Sequence, residues 1–258
     1  MKKWVQFYRN ISQYFNDFGE TLPVNNFNEV DNAAELFVIT CLKLSMQNAE
    51  AIAMLLEKGL YCQAMMIMRS TLEALFKINW VCSGEDVNKR NERAYQLEGK
   101  VFSDYEKEII DQENIPKKNY QFFPEEIVRQ NQASIDNIRE NYSHLIKKDG
   151  KFKKPEKLMK NWDKDLSVAF YHFYRTLCVF CHPNPMIKDF LLSSNRNLEY
   201  NIEVFTDGLF WGRGVYLIIM KCSILFFEKY KMDGQKERNE ILSKMKEYID
   251  SYTKENKL

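Results

Sequence analysis

Glycine and proline are scarce in this chain, nine and six in 258 residues. A β-sandwich or barrel spends turn residues at intervals of roughly 8–12 positions, and this sequence cannot supply them. A charge of one sign is also missing. The formal net charge is +1, which excludes the basic excess of a protein that coats nucleic acid nonspecifically. A local site for one phosphate is still compatible with it. Long apolar runs are absent too. The most apolar stretch, Val215 to Phe227, is broken by Lys221 and falls short of the roughly 20 residues that span a bilayer. The opening MKKWVQFYRNISQYF starts with two lysines, but Gln6, Arg9 and Asn10 interrupt any apolar segment. No small-residue cleavage site follows, so it reads as mature protein and not as a signal peptide. These absences predict a cytoplasmic protein with no membrane segment. In that compartment the six cysteines (Cys41, Cys62, Cys82, Cys178, Cys181 and Cys222) are thiols.

What is present is helical periodicity. Apolar residues are 45% of the chain and charged residues 28%, enough apolar material for a core. Leu36, Phe37, Thr40, Cys41, Leu44, Ala51 and Met54-Leu55 form a stripe along a segment from about 30 to 57, with Gly59 as its stop signal. The next stretch, LYCQAMMIMRSTLEALFKINWVCSG, is apolar nearly all round. It predicts a buried central helix, ended by Gly84 and paired in a hairpin with the one before. Residues 86–113 read as a charged helix with one face to water. Pro116 and Pro124 bracket a connection, and 125–147 is a further charged helix. A run with eight lysines at 147–164 predicts a mobile basic loop. A helix beginning near Asp165 carries LSVAFYHFYRTLCVFCH and stops at Pro183-Asn184-Pro185. A long segment from about 198 to 231 and an amphipathic C-terminal helix at about 234–254 complete the chain. The reading is one all-α domain over 1–258, a helical bundle with accessory helices and a core at about 30–232.

The stretch RTLCVFCHP, Arg175 to Pro183, can be parsed three ways. Cys178-Val-Phe-Cys181-His182 spells the haem c attachment pattern, yet no export signal accompanies it. Two cysteines and His182 would give zinc three ligands where a closed structural site takes four, and no second C-x-x-C exists. In the third parse the cysteines pack as small apolar residues and the ends of the stretch matter. Seven helical residues turn through about 700°, so Arg175 and His182 share a face within about 20°, near 10 Å apart along the axis. A guanidinium suits phosphate, and an imidazole takes and returns a proton near neutral pH. Those are the two parts of a metal-free RNA-cleaving site. One activates the 2′-hydroxyl and the other holds the charge of the transition state.

R-x6-H on a late helix, followed by turn residues, resembles the R-x(4–6)-H motif of the HEPN superfamily of all-helical nucleotide-binding and RNase domains. The resemblance implies a helical bundle that dimerises to bring two such helices together, with no cofactor and no metal. It implies a composite ribonuclease site with Arg175 and His182 as catalytic residues. Its setting would be bacterial phage defence or toxin–antitoxin pairs, with RNA as substrate, and an antitoxin or defence protein as partner. Many members carry Asn, Asp or His after the arginine; here the residue is Thr176. The segment MRSTLEALFKINWV, with RNERAYQ after it, is similar to uncharacterised bacterial helical families placed near HEPN that carry R-S-x-x-E. These likenesses cover about 65–100 and 165–185. The alternative is a non-catalytic binding or sensor module of the same fold.

Four further residues are candidates for supporting roles. Arg69 and Glu73 stand i, i+4 on the apolar central helix. They either pair to orient two helices or line the pocket of Arg175 and His182. Tyr171 shares the Arg175 face at i, i+4, and Thr176 is the neighbour already noted. His182 has a plain reading as a helix C-cap favoured by the macrodipole. Gly208 and Gly212 have the spacing that lets two helix backbones approach, and Trp211 and Arg213 between them are candidates for a pocket rim.

Overall fold

The computed structural model describes residues 1–20, 33–97, 136, 140, 143–145, 164–181, 202–229 and 236–256. The order of elements is α1 (Lys2–Glu20), α2 (Ala33–Glu57), α3 (Tyr61–Cys82) and α4 (87–97). A 3-10 turn at Ser143–Leu145 follows, then α5 (Lys164–Cys181), α6 (Ile202–Lys229) and α7 (Lys236–Asn256). The fold is all-α, with no strand among the described residues. No helix there is long and apolar enough to cross a membrane.

The hairpin of α2 and α3 turns on Gly59. Its φ of 72° lies in the left-handed region, where a Cβ would be strained. The Leu60 amide donates to the Leu55 carbonyl at 2.9 Å and the Gly59 amide to Leu56 at 3.2 Å, the bond pair of a Schellman C-cap. The backbone therefore reverses, and α3 runs back along α2. Apolar residues on most sides of α3 bury Cys62, Ala64, Met65, Met68, Leu72, Ala74, Leu75, Ile78 and Val81. It packs against α2, α5 and α6, the central position its sequence predicts.

Gly208 and Gly212 set how closely α6 lies on α3. A Cβ at Gly208 would stand 2.7 Å from the Met65 sulfur. One at Gly212 would stand 2.6 Å from the Met68 sulfur and 2.7 Å from the Tyr8 hydroxyl. Several polar groups in this seam pair with one another. Tyr8 donates to the Leu209 carbonyl at 3.3 Å, and Asn48 donates to Thr71 Oγ1 at 3.1 Å. The Thr71 and Tyr216 hydroxyls lie 3.1 Å apart. Burial pushes the Tyr216 hydroxyl well above the ordinary phenol range, against a smaller opposing pull from Thr71.

The core is wider than the expected 30–232. Helix α1 buries Trp4, Phe7, Tyr8, Ile11, Phe15 and Phe18, and α7 adds Leu242 and Met245. Helix α1 packs on α2, and α7 rests on α6 and α1. The RNERAYQ stretch lies within α4 and ties helix ends together. Asp86 caps α4 through the Lys89 amide at 2.7 Å. Arg90 Nε donates to the Gly84 carbonyl at 3.1 Å. Arg93 donates to the Trp80 carbonyl at 2.6 Å and to the Ser83 hydroxyl at 2.7 Å. Asn91 accepts from the Ala34 amide at 3.0 Å, at the start of α2. Positions 87–97 of the helix expected at 86–113 are thus helical. Of the expected helix at 125–147, residues 136 and 140 are helical and Ser143–Leu145 is a 3-10 turn. The Pro116–Pro124 connection, residues 147–163 of the expected basic loop and the Pro183–Pro185 stop lie outside the described residues.

Candidate functional site

Helix α5 presents three sides, and the sequence assigns them. Phe173, Leu177 and Phe180 recur at i, i+4, i+7 and are buried. Phe180 packs on Phe205 of α6 at 5.7 Å between ring centroids, and Phe173 reaches Trp211 at 6.3 Å. Tyr174, Cys178 and Cys181 repeat the same interval one residue later and are half-buried, which turns that flank toward α3. His172, Arg175 and Thr176 are exposed. At about 100° per residue, Arg175 lies about 170° around the helix from the buried seam. Arg175 makes no hydrogen bond or ion pair among the described residues. Thr176 turns back on its own helix, its hydroxyl donating to the His172 carbonyl at 3.1 Å.

Arg69 of α3 meets the middle flank. Its Nη2 donates to the Tyr174 hydroxyl at 2.9 Å and lies 3.2 Å from Glu73 Oε1. Tyr174 donates in turn to Glu73 Oε1 at 3.1 Å. The three polar groups close a triangle between α3 and α5, and the guanidinium also lies over the Tyr174 ring, 5.1 Å from its centroid. Hydrogen bonding to Tyr174, then the Cys181 sulfur beside it, raise the guanidinium above its ordinary value against the opposing effect of burial. Cys178 adds to the same effect. Burial raises the Tyr174 hydroxyl; Arg69 pulls the other way and Glu73 reinforces the rise. Arg69 Nε is buried and has no acceptor among the described residues.

The sequence candidates therefore separate into two groups. Arg69 and Glu73 come together, as the ion-pair reading holds, and Tyr174 joins them. Arg69 does not reach Arg175, which leaves α5 on another side. His182 lies outside the described residues, as does the side chain of Tyr171, although residue 171 belongs to α5. Arg213 does not form a rim. It is buried, 4.5 Å from the Phe210 ring and 5.9 Å from the Trp4 ring, whereas Trp211 is exposed. No group of three His, Cys, Asp or Glu able to hold a metal occurs among the described residues. Sequence reasoning passed over Tyr174 and left the two cysteines as packing. The signal was present, since Tyr174, Cys178 and Cys181 fall at the interval that stacks side chains on one helix face.

No curated protein and no solved structure matches this chain. A family model does, and its range takes in α2 to α5, with Arg69, Glu73, Tyr174 and Arg175 all inside it. With residues 35–198 matched, more than half its length, the chain belongs to the family of unknown function DUF5677.

Proposed function

We propose that this chain is a metal-independent endoribonuclease of HEPN type, working as a homodimer in a phage-defence or toxin–antitoxin setting. The observation that carries the reading is the exposure of Arg175 on the side of α5 away from the core. An arginine there is available to a phosphate, and the Arg69–Tyr174–Glu73 triangle holds the neighbouring flank of the same helix, about 100° around from it. In this reading His182 takes the proton of an RNA 2′-hydroxyl. The 2′-oxygen attacks phosphorus, the bond to the 5′-oxygen breaks, and an imidazolium returns a proton to that oxygen. Arg175 neutralises the non-bridging oxygens as charge builds on them. The products are a 2′,3′-cyclic phosphate and a 5′-hydroxyl. A second α5, from the other copy, would supply a matching pair.

The test is cleavage of labelled RNA by the purified chain in excess chelator. His182→Ala and Arg175→Ala are each expected to lower the rate by about 10²–10⁴-fold, with circular dichroism unchanged. Cleavage by His182→Ala at the wild-type rate overturns the mechanism. One observation favours the second reading, a binding module without catalysis. Arg69 is engaged by Tyr174 and Glu73 and adds no second cation beside Arg175. RNA retained by the wild type with no cyclic phosphate ends would decide for it.

A further inference from the structure

Cys178 and Cys181 stand between Arg175 and His182, and the proposed chemistry uses neither. They lie three positions apart within α5, so helix geometry sets their Cα atoms about 5 Å apart. That is inside the Cα range of about 4.4–6.8 Å for disulfides. Helical Cβ atoms at this spacing stand about 5–6 Å apart, wider than the roughly 3.5–4.5 Å a bridge needs, so closing it draws in the last turn of α5. Their side chains differ by about 60° around the axis, so both sit on the flank that meets Arg69. Both are half-buried, whereas Cys41 and Cys62 are buried in the core. Burial pushes the Cys41 thiol up to about 12 and the Cys222 thiol up to about 11, against smaller opposing effects of Lys77 and Lys221. Those two are held as unreactive thiols.

A guanidinium beside the pair completes the surroundings of a reactive site. After Tyr174, Cys181 and, more weakly, Cys178 raise the Arg69 guanidinium above its ordinary value, and its buried Nε still lacks an acceptor among the described residues. Its charge is placed where an attacking sulfur carries negative charge.

We propose that Cys178 and Cys181 are a peroxide-responsive dithiol, a modification site where hydrogen peroxide closes a disulfide across one turn of α5. One thiolate attacks a peroxide oxygen. The O–O bond breaks, hydroxide leaves, and the sulfur becomes a sulfenic acid. The second thiolate then attacks that sulfur, an S–S bond forms, the S–O bond breaks, and a second hydroxide leaves. Each hydroxide takes up a thiol proton. Two thiols and one peroxide thus give one disulfide and two waters, with two electrons passing from sulfur to peroxide. The bridge withdraws both sulfurs from Arg69 and stiffens the segment that joins Arg175 to His182. Its effect on RNA cleavage rests on the ribonuclease reading; the bridge itself does not.

The experiment is peroxide titration of the reduced full chain, trapping with iodoacetamide, and non-reducing peptide mapping. Tryptic cleavage after Arg175 and Lys188 places both cysteines in one peptide. That peptide is expected to lose two hydrogens and resist alkylation until dithiothreitol is added, about tenfold faster than Cys41 or Cys62 reacts. Cys181→Ser should abolish the two-hydrogen loss and leave a sulfenic acid on Cys178. Arg69→Met should slow closure several-fold, and Arg69→Lys should restore part of the rate. A wild-type peptide that stays doubly alkylated while other cysteines oxidise overturns the proposal. So does one oxidised to sulfinic acid without a bridge. Cleavage by the reduced chain is scored separately, so a missing bridge and a missing ribonuclease give different results.

Discussion

At the scale of single residues, the best-defined polar feature is the triangle of Arg69, Glu73 and Tyr174. Tyr174 belongs to both partners, accepting from Arg69 and donating to Glu73, so its hydroxyl joins α3 to α5. Hydrogen bonds to charged groups contribute about 1.5–3 kcal/mol when shielded. Arg69 and Glu73 keep 26% and 41% of their side-chain surface exposed, so solvent screening lowers that figure. Tyr174→Phe should therefore cost about 1 kcal/mol, read as a lower urea midpoint at unchanged slope. With Glu73→Gln it should be non-additive, because the two changes remove one shared bond. A charged pair at i, i+4 on an apolar helix made Arg69–Glu73 legible in the sequence. The third member was not, because the partner lies 101 residues from Glu73 and only packing shows which flank of α5 faces α3. The exposure of Arg175 had a similar limit, since a shared face predicts that Arg175 and His182 lie together but not which way the face turns.

At the scale of elements, two contacts yield predictions of opposite character. Glu92 of α4 holds Lys89 at 2.8 Å and His144 of the 3-10 turn at 3.2 Å. Burial pushes its carboxyl up, but Lys89 and His144 together bring it below the ordinary value. A carboxylate depressed in the folded state favours folding above its unfolded pKa, near 4.5. The gain is lost as pH falls through the lower folded value. Glu92→Gln should thus be less stable than wild type at neutral pH, by under about 1 kcal/mol, and the gap should close in acid. The α3–α6 seam tests sterics instead. Glycine to alanine in a helix interior gains about 1 kcal/mol from propensity, and overpacking costs about 1–3 kcal/mol. At Gly208 the obstacle is the flexible end of Met65, so Gly208→Ala should be close to neutral in thermal melts. At Gly212 the Tyr8 hydroxyl also stands in the way, held on the Leu209 carbonyl. Gly212→Ala should therefore melt lower than Gly208→Ala.

At the scale of the molecule, helix class and most boundaries were legible because period and stop signals are local. Helix α3 was read as buried from its composition, and Gly59 marked the hairpin in the sequence as it does in the structure. The extent of the core was not legible, since the charged and polar residues of α1 drew attention to its surface face. Its inward stripe of Trp4, Phe7, Tyr8, Ile11, Phe15 and Phe18 follows helical spacing just as closely. That stripe bears on what the family-matched segment can do alone. Residues 35–198 leave out α1, α6 and α7. Fully burying a large apolar side chain is worth about 1.5–3 kcal/mol, so the six positions of α1 together contribute about 9–18 kcal/mol before entropy. A whole domain is stable by about 5–15 kcal/mol. Removing α1 would also expose the face of α2 it covers, and removing α6 would uncover Met65, Met68 and Thr71 of α3. A fragment trimmed to 35–198 is therefore expected to lack a cooperative thermal transition, whereas the full chain shows one. Deleting residues 1–20 alone should lower the melting temperature sharply or abolish the transition. Calorimetry of both fragments beside the full chain measures this. A cooperative transition in the 35–198 fragment near that of the full chain would show that α2 to α5 carry the fold, with α1 an addition to it.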